Sequence, residues 1–141
     1  MQDVKTITVD LKERSYPVFI GKGLLDKAGA LLKTRLRGKA FIVSDENVAP
    51  LYLNRAAQAL DAEILVIPAG ENAKCWQTVQ AVTDAVLDKG CDRHSALISL
   101  GGGVVGDIAG FCASILERGI DFIQIPTTLL AQTDSSVGGK T

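Results

Sequence analysis

The sequence predicts a doubly wound α/β domain, in which a mostly parallel sheet follows a short antiparallel hairpin at the amino terminus. Helical and strand-like patterns alternate from Leu24 onward, the order typical of a parallel sheet with helical crossovers. The later strand-like runs are short and continuously apolar, as in strands covered on both faces. With 141 residues, 47% apolar and 22% charged, the chain has the length and composition of one globular domain.

The hairpin and the first helical unit occupy the amino-terminal third of the chain. Apolar and polar residues alternate over residues 6–11, a second strand-like run covers residues 16–20, and a polar turn separates them. Leucine and alanine then recur at helical spacing from Leu24 to Leu36, and Gly38 is expected to end this helix. Residues 40–43 form the first predicted strand of the parallel sheet.

Three further strand-like runs each follow a helical pattern. The second helix has Pro50 in its first turn, where proline is favoured, and it precedes a strand at residues 64–67. A third helix begins near Trp76 and ends near Lys89, with Gly90 beyond it. The strand at residues 96–100 runs directly into three glycines and another helix. The strand at residues 122–125 is closed by proline.

Charge and composition exclude several classes of function. The formal net charge is −1 and the basic residues are spread along the chain, which predicts no attraction to nucleic acid or anionic lipid. The amino terminus lacks a signal-peptide pattern, and no run approaches the roughly 20 apolar residues of a membrane helix. We therefore expect a soluble, cytoplasmic protein with no membrane partner.

The potential metal-ligating residues are few and scattered. Cys75, Cys91 and Cys112 lie far apart without a C-x-x-C pair, so reduced thiols are expected rather than disulfides or a zinc site. The single histidine, His94, cannot form a catalytic zinc site without partners. No metal site is expected within this chain.

The glycine-rich segment at residues 101–107 has the pattern of a dinucleotide-phosphate cradle. Gly101, Gly103 and Gly106 form a G-x-G-x-x-G motif between an apolar strand and an apolar helix, which is the context the motif requires. Glycines permit a tight turn with positive φ and let a phosphate approach the backbone, and the helix amino end supplies N–H donors. The alternative is a tight turn without a ligand. Asp107 either contacts a nicotinamide amide or ribose hydroxyl, or only complements the helix dipole.

Asp45 follows the first strand of the parallel sheet and is placed to accept hydrogen bonds from an adenosine ribose. Its charge would repel a 2′-phosphate, so we expect NAD rather than NADP. Asp121 has the usual spacing of the ribose-binding acid from the glycines, but it precedes a strand instead of ending one. The alternative role for Asp45 is that of a helix cap.

Other strand-end residues also have two readings each. Glu71 and Lys74 are either a solvated surface pair or ligand contacts. Thr127 and Thr128 are either a helix cap or contacts to a nucleotide. Arg118 stands near a helix carboxyl end, where a cation is favoured in any case.

The last eight residues, DSSVGGKT, are polar and glycine-bearing, with Asp134 and Lys140 six positions apart. Composition alone would also suit a disordered tail. The final GGKT is similar to the end of a phosphate P-loop, but the upstream glycine is missing and no strand leads into it. We therefore exclude a P-loop.

These motifs together resemble the 3-dehydroquinate synthase family. The resemblance rests on GGGVVGDIAGF, the Arg118-Gly119 pair, PTTLLAQTDSSVGGKT, PAGENAK and the DEN after AFIVS, which occur in order over essentially the whole chain. The terminal motif is specific, whereas GGG is shared with iron-dependent alcohol and glycerol dehydrogenases. The implied fold is that of the family's N-terminal, Rossmann-like domain.

The resemblance implies a shikimate-pathway enzyme that converts 3-deoxy-D-arabino-heptulosonate 7-phosphate to 3-dehydroquinate and phosphate, using tightly held NAD. Asp134 and Lys140 are implied to be catalytic, at the junction of nicotinamide and substrate. Asp134 and Lys140 are also implied to bind the substrate, and Arg118 is implied to help hold its phosphate, within the chain or from across a homodimer. The residues implied to contact NAD are Asp45, Glu71, Asn72, Lys74, Gly102, Gly103, Val104, Gly106, Asp107, Thr127, Thr128, Asp134 and Lys140.

The family's metal ligands, a Glu and two His, belong to a downstream helical domain that this chain does not contain. We therefore expect residues 1–141 to be a single NAD-binding domain that is inactive alone, with the divalent metal, zinc or cobalt, bound only in the presence of that domain. Three alternatives stay open. They are a metal-dependent polyol or glycerol dehydrogenase, a cyclase making an inosose or valiolone, and a nucleotide-binding domain without catalysis.

Overall fold

A parallel four-stranded sheet, covered by helices on both faces, forms the centre of this protein. The structure is a computed structural model and describes residues 3–139 and 141. The elements in chain order are β1 (Lys5–Val9), β2 (Tyr16–Ile20), α1 (Leu24–Leu32), β3 (Ala40–Asp45), α2 (Ala49–Leu60), β4 (Glu63–Ile67), α3 (Trp76–Asp88), β5 (Ala96–Gly101), α4 (Gly103–Ile115) and β6 (Asp121–Pro126). Within the described residues, no helix is long and apolar enough to span a bilayer.

The strand order determines where the sheet can bind a ligand. The four strands are arranged β4-β3-β5-β6, all parallel, while β1 and β2 form a separate antiparallel hairpin. The chain passes from β3 outward to β4 and then returns to the other side of β3 to build β5 and β6. In doubly wound sheets such a reversal opens a crevice at the carboxyl ends of the strands. The predicted fold is confirmed, and its switch point lies between β3 and β5.

Alternate residues of the central strands supply two separate apolar cores. Phe41 and Leu97 pack with α3 and α4 on one face of the sheet. Ile42 and Ile98 pack with α1 and α2 on the other face. Because successive strand side chains point to opposite faces, both sets must be apolar when both faces are covered. This explains the continuous apolar runs in the sequence.

Two predicted boundaries were wrong by a few residues. The first strand ends at Val9 rather than at residue 11, because Asp10 and Ser15 hold the hairpin connection in a hydrogen-bonded turn. Helix α1 ends at Leu32 rather than at Leu36. The backbone N–H of Leu36 donates to the Leu32 carbonyl in a closing turn, and the Leu36 side chain still packs on the core.

Gly29 tests how closely α1 packs on α2. A Cβ at Gly29 would overlap the carbonyl oxygen of Ala59, whereas a Cβ at Gly106 in α4 would lie 3.5 Å from Gln124 Oε1, an ordinary contact. Alanine favours a helix over glycine by about 1 kcal/mol, but overpacking costs about 1–3 kcal/mol. We expect Gly29→Ala to lower the free energy of unfolding in urea and Gly106→Ala to leave it unchanged or raise it. Equal urea-unfolding midpoints for Gly29→Ala and Gly106→Ala would contradict the close contact of α1 with α2 at Gly29.

Candidate nucleotide site

The carboxyl ends of three neighbouring strands bring together residues that are far apart in sequence. Strand β3 ends at Asp45, β5 at Gly101 and β6 at Pro126. Ser44 pairs with Leu100 in the sheet register, and Gly101 pairs with Pro126. The predicted ribose acid, the glycine loop and the two threonines therefore lie along one edge, at the switch point.

The glycine loop presents the amino end of α4 to this edge. Gly102 precedes the helix, and the Gly106 N–H donates to the Gly102 carbonyl at 3.1 Å. The N–H groups of the first helical turn have no partner within a helix and lie at its positive dipole end. This end of α4, beginning with Gly103 and the half-buried Val104, has the chemistry of an anion site.

The expectation that these glycines adopt positive φ was wrong. Positive φ occurs at other glycines, whereas Gly102 has φ −81° and ψ −163°. The loop needs glycine for space instead. A Cβ at Gly101 would lie 2.7 Å from Cγ2 of the fully buried Val105, and a Cβ at Gly102 would lie 3.1 Å from Cγ2 of Thr128.

Asp45 holds the turn that precedes α2, whereas the N-cap of the helix itself is Val48, without a side-chain capping bond. Asp45 Oδ1 accepts hydrogen bonds from the backbone N–H of Asn47 at 2.9 Å and of Val48 at 2.8 Å, directly before α2. Both of these bonds use Oδ1. The carboxylate lies at the end of β3, so its role in this turn and a contact to a ribose through Oδ2 are compatible.

Glu71, Asn72 and Lys74 lie in the loop after β4, and an ion pair connects this loop to α4. Lys74 Nζ is 2.7 Å from Asp107 Oδ2 and 3.2 Å from Glu71 Oε1. The hydrogen bond to Asp107, and then the one to Glu71, raise the pKa of Lys74 against the effect of desolvation. Glu71 is 75% exposed and pairs with Lys74, whereas Lys74 also connects its loop to α4 through Asp107.

The two threonines after β6 differ in their hydrogen bonding. The Thr128 hydroxyl accepts from the Ala131 N–H at 3.1 Å and so caps the following turn. The Thr127 backbone N–H donates to the Gly101 carbonyl at 3.0 Å. The buried Thr127 hydroxyl oxygen, however, has no hydrogen-bond partner among the described residues. Native structures contain few such groups, and each requires an explanation.

The strip after the threonines folds along the same edge. A π-helical turn at Ala131–Ser135 contains the exposed Asp134. Gln124 Nε2 on β6 donates to the Ser136 carbonyl at 2.9 Å, and the Gly138 N–H donates to the Tyr16 hydroxyl at 3.3 Å. These bonds tie the strip to β6 and β2. Lys140 lies outside the described residues.

Arg118 is not brought to this edge. It lies beyond the carboxyl end of α4, a helix of 13 residues, and therefore about 20 Å along the helix axis from Gly103. Arg118 is exposed and has φ 64°, next to Glu117 with φ 47°. Within this chain the predicted substrate-binding arginine is separated from Asp134 and from the glycine loop.

Sequence reasoning missed a cavity of about 440 Å³ beside the Lys74–Asp107 pair. Trp76 is 72% exposed at its rim, and its ring lies edge-on to Phe111 at a centroid distance of 5.8 Å. In the sequence, Trp76 indicated only where the third helix begins. Its nearness in sequence to Lys74, and the four-residue spacing of Asp107 and Phe111 on α4, are the signals that connect this wall to the site.

The described residues include no group of three or more His, Cys, Asp or Glu side chains that could hold a metal ion. His94 lies in an exposed turn, where its backbone N–H donates to Asp92 Oδ1 at 2.8 Å. The side chains at the carboxyl edge are hydroxyls, carboxylates and one ammonium. They can bind a polar ligand but do not form a metal centre in this part of the chain.

The family is decided by the match of residues 64–141, over half of the chain, to the model of the 3-dehydroquinate synthase N-terminal domain. The chain belongs to the 3-dehydroquinate synthase family. It is 53% identical over 141 residues to the 3-dehydroquinate synthase of Azotobacter vinelandii. The matched region is 98% of this chain and 38% of that protein. The chain thus spans about two fifths of the length of its curated relatives.

Solved structures of cyclases have the same fold. A 2-deoxy-scyllo-inosose synthase complexed with carbaglucose-6-phosphate, NAD⁺ and Co²⁺ is 27% identical with a TM-score of 0.84, over 93% of this chain and 38% of that chain. A second solved structure is the 2-epi-5-epi-valiolone synthase of Streptomyces hygroscopicus subsp. jinggangensis 5008 with NAD⁺ and Zn²⁺ bound. It is 38% identical to this chain with a TM-score of 0.75, and the match covers 92% of this chain and 37% of that chain. A probable glycerol dehydrogenase of Sinorhizobium meliloti is similar in fold alone, at 22% identity and a TM-score of 0.54. That match covers 74% of this chain and 26% of the dehydrogenase chain.

The three thiols should differ sharply in reactivity. Hydrogen bonding to Thr78, with Sγ and Oγ1 3.4 Å apart, lowers the pKa of the exposed Cys75. Burial raises the pKa of Cys91 and raises that of Cys112 to about 11. Because the thiolate is the nucleophile, iodoacetamide should modify Cys75 first in the folded chain and Cys112 only after unfolding. Mass spectrometry identifies the order. We expect Cys75→Ser to remove the fast phase of iodoacetamide labelling, and the control Cys91→Ser to retain it. Rapid labelling of Cys112 in the folded chain would contradict its burial.

Proposed function

We propose that this chain is the NAD-binding part of a 3-dehydroquinate synthase, which converts 3-deoxy-D-arabino-heptulosonate 7-phosphate to 3-dehydroquinate and phosphate. The observation that carries the nucleotide assignment is the buried Thr127 hydroxyl without a partner among the described residues. Leaving such a group unpaired costs about 1–3 kcal/mol. It lies at the switch point beside the glycine loop, where a nucleotide would pair with it once the groups that cover the oxygen move aside.

Each part of NAD has suitable groups at this edge. The pyrophosphate would contact the amides at the start of α4, with the glycines leaving room for its approach. The adenosine ribose would contact Asp45, and the nicotinamide half would contact Asp107. When bound, NAD supplies an acceptor that takes up a hydride and later returns it. The remaining proposed contacts are Glu71, Asn72, Lys74, Gly102, Gly103, Val104, Gly106, Thr127, Thr128, Asp134 and Lys140.

The groups that bind the substrate and the metal would not all come from the carboxyl edge of this sheet. Asp134 and Lys140 are proposed to act at the junction of nicotinamide and substrate. Arg118, far from that junction in this chain, would hold the substrate phosphate of a neighbouring subunit in a homodimer. The divalent metal, zinc or cobalt, is proposed to bind with a further helical domain, an assignment supported by the Co²⁺ and Zn²⁺ in the two cyclase structures.

In this proposal residues 1–141 form a single Rossmann-like domain of a cytoplasmic enzyme, and the domain alone does not catalyse the reaction. The polyol dehydrogenase alternative is supported by fold similarity only, at 22% identity. The inosose and valiolone cyclases share the architecture, and their products would be determined by residues outside this chain. The DSSVGGKT strip favours the synthase.

Thr127→Val should affect the stability of the ligand-free chain and its affinity for NAD in opposite directions. We expect Thr127→Val to leave the unfolding free energy of the ligand-free chain unchanged or raise it by about 1 kcal/mol, because an unpaired buried hydroxyl is removed. The same change should weaken NAD binding about five- to tenfold in calorimetry. Thr128→Val is the matched control, since it removes the bond to the Ala131 N–H and should lower stability by about 1 kcal/mol. Loss of stability in Thr127→Val with unchanged NAD affinity would overturn the assignment.

Asp45→Asn tests the choice of cofactor. Asparagine accepts backbone hydrogen bonds in such a turn as aspartate does, so the bonds to Asn47 and Val48 should persist while the charge is removed. We expect wild type to bind NAD at least about tenfold more tightly than NADP, and Asp45→Asn to narrow that ratio. Asp92→Asn, which also accepts a backbone N–H but lies away from the carboxyl edge, should leave the ratio unchanged. A wild-type preference for NADP would refute the role of Asp45.

A further inference from the structure

Gln124 is a half-buried polar side chain in the middle of the otherwise apolar run of β6. Phe122 packs into the core between the sheet, α3 and α4, whereas Ile123 packs into the core on the opposite face. Because alternate side chains of a strand share a face, Gln124 points toward α4 with Phe122. A half-buried amide at such a position needs hydrogen-bond partners, and packing of the core does not explain its presence.

The first turns of α4 leave room for this side chain. Gln124 Oε1 lies 3.5 Å from the position that a Cβ at Gly106 would occupy. The other end of the same amide, Nε2, donates to the Ser136 carbonyl at 2.9 Å. Gln124 therefore reaches from the sheet, beside Gly106, to the strip that follows β6.

The Ser136 carbonyl lies at the end of the π-helical turn that contains Asp134. The last carbonyls of a helical turn have no partner within it, and Gln124 supplies one for Ser136. The start of the same turn is held by the Thr128 hydroxyl, which accepts from the Ala131 N–H at 3.1 Å. Asp134 lies between these two points and is exposed, so the two bonds hold the backbone that carries its carboxylate.

We infer that Gln124 is a positioning residue. Its amide holds the end of the π-helical turn against β6, and this keeps Asp134 at the carboxyl edge before any ligand binds. The inference rests on the proposed function, which gives Asp134 its place at the junction of nicotinamide and substrate. Gln124 acts through the backbone of the strip and not through a contact of its own with the ligand.

Hydrogen exchange read residue by residue tests this holding role without any ligand. In Gln124→Met an unbranched side chain of similar length replaces the amide but donates no hydrogen bond. We expect about five- to tenfold lower protection of the Ser136 and Val137 amides, which close the turn. Gln124→Glu retains the shape of the side chain but directs a carboxylate at a carbonyl oxygen, and it should lower protection at least as much. Amides of β5 and of the middle of α4 should be unchanged.

Calorimetry with NAD tests whether the held strip matters for the site. We expect Gln124→Met to bind NAD about three- to tenfold more weakly than wild type, because only the ordered fraction of the strip is competent to bind. In the Asp134→Asn background the same change should have a smaller effect, since both residues act through one group. Gln132→Met is the matched control. It removes a longer bond from a glutamine amide to a main-chain carbonyl, that of Pro126 at 3.4 Å, and should change NAD affinity less than about twofold.

Three results would overturn the inference while leaving the proposed function standing. They are unchanged protection of Ser136 and Val137 in both Gln124 variants, lower protection with unchanged NAD affinity, and an equal loss of affinity in the Asp134→Asn background. Urea unfolding separates positioning from general stability, because the described residues of the strip contribute no side chain to the two apolar cores. A loss of protection throughout the domain would show a structural role and contradict the inference. Absence of NAD binding by the wild-type chain would instead overturn the proposed function together with the role of Gln124.

Discussion

The site depends on one close approach, the passage of β5 into α4 at Gly101. Val105 is fully buried beneath the turn, and a side chain at Gly101 would displace it. Helix α4 therefore begins at the edge of the sheet itself, and its first amides point into the crevice where the strand order reverses. The Gly101 carbonyl also accepts the Thr127 N–H, so the same residue holds the next strand's loop beside the helix. A side chain at this position would move the first amides of α4 and the threonines together.

The terminal strip is part of the same construction rather than an appendage. A Cβ at Gly103 would lie 3.4 Å from the Ser135 hydroxyl, so the strip reaches the amino end of α4. Gln124 and Tyr16 hold it at two backbone positions. Asp134 is thus carried to the carboxyl edge by contacts that its neighbours make with β6 and β2. The hairpin at the start of the chain consequently has a role in the site, because its Tyr16 hydroxyl supports the last part of the edge.

Local pattern predicted the strands and helices because a parallel sheet covered on both faces imposes a simple requirement on each strand. Phe41 and Ile42 must both be apolar, whichever face each one covers. The side-chain contacts of the site follow no such local rule. The Lys74–Asp107 pair joins two elements whose approach depends on the packing of α3 on α4. Whether the Thr127 hydroxyl is buried and paired depends on the tertiary packing around it, which no local sequence pattern specifies. The glycines show the same limit, because their need for space at Val105 and Thr128 exists only in the folded chain.

The polar groups of the edge are arranged at some cost to the ligand-free protein. The buried Thr127 hydroxyl lacks a partner among the described residues, and Asp107 and Glu71 share a single ammonium. The two apolar cores beneath carry no comparable burden, since the hydroxyl of the buried Ser44 donates to the Leu100 carbonyl at 2.8 Å. A ligand that binds only the folded state stabilises it by about 2.7 kcal/mol at a hundredfold excess over its Kd, comparable to the cost of the unpaired hydroxyl. Binding of the proposed nucleotide would therefore couple occupancy of the crevice to folding of this edge, and substitutions that make the empty edge more stable should weaken that binding.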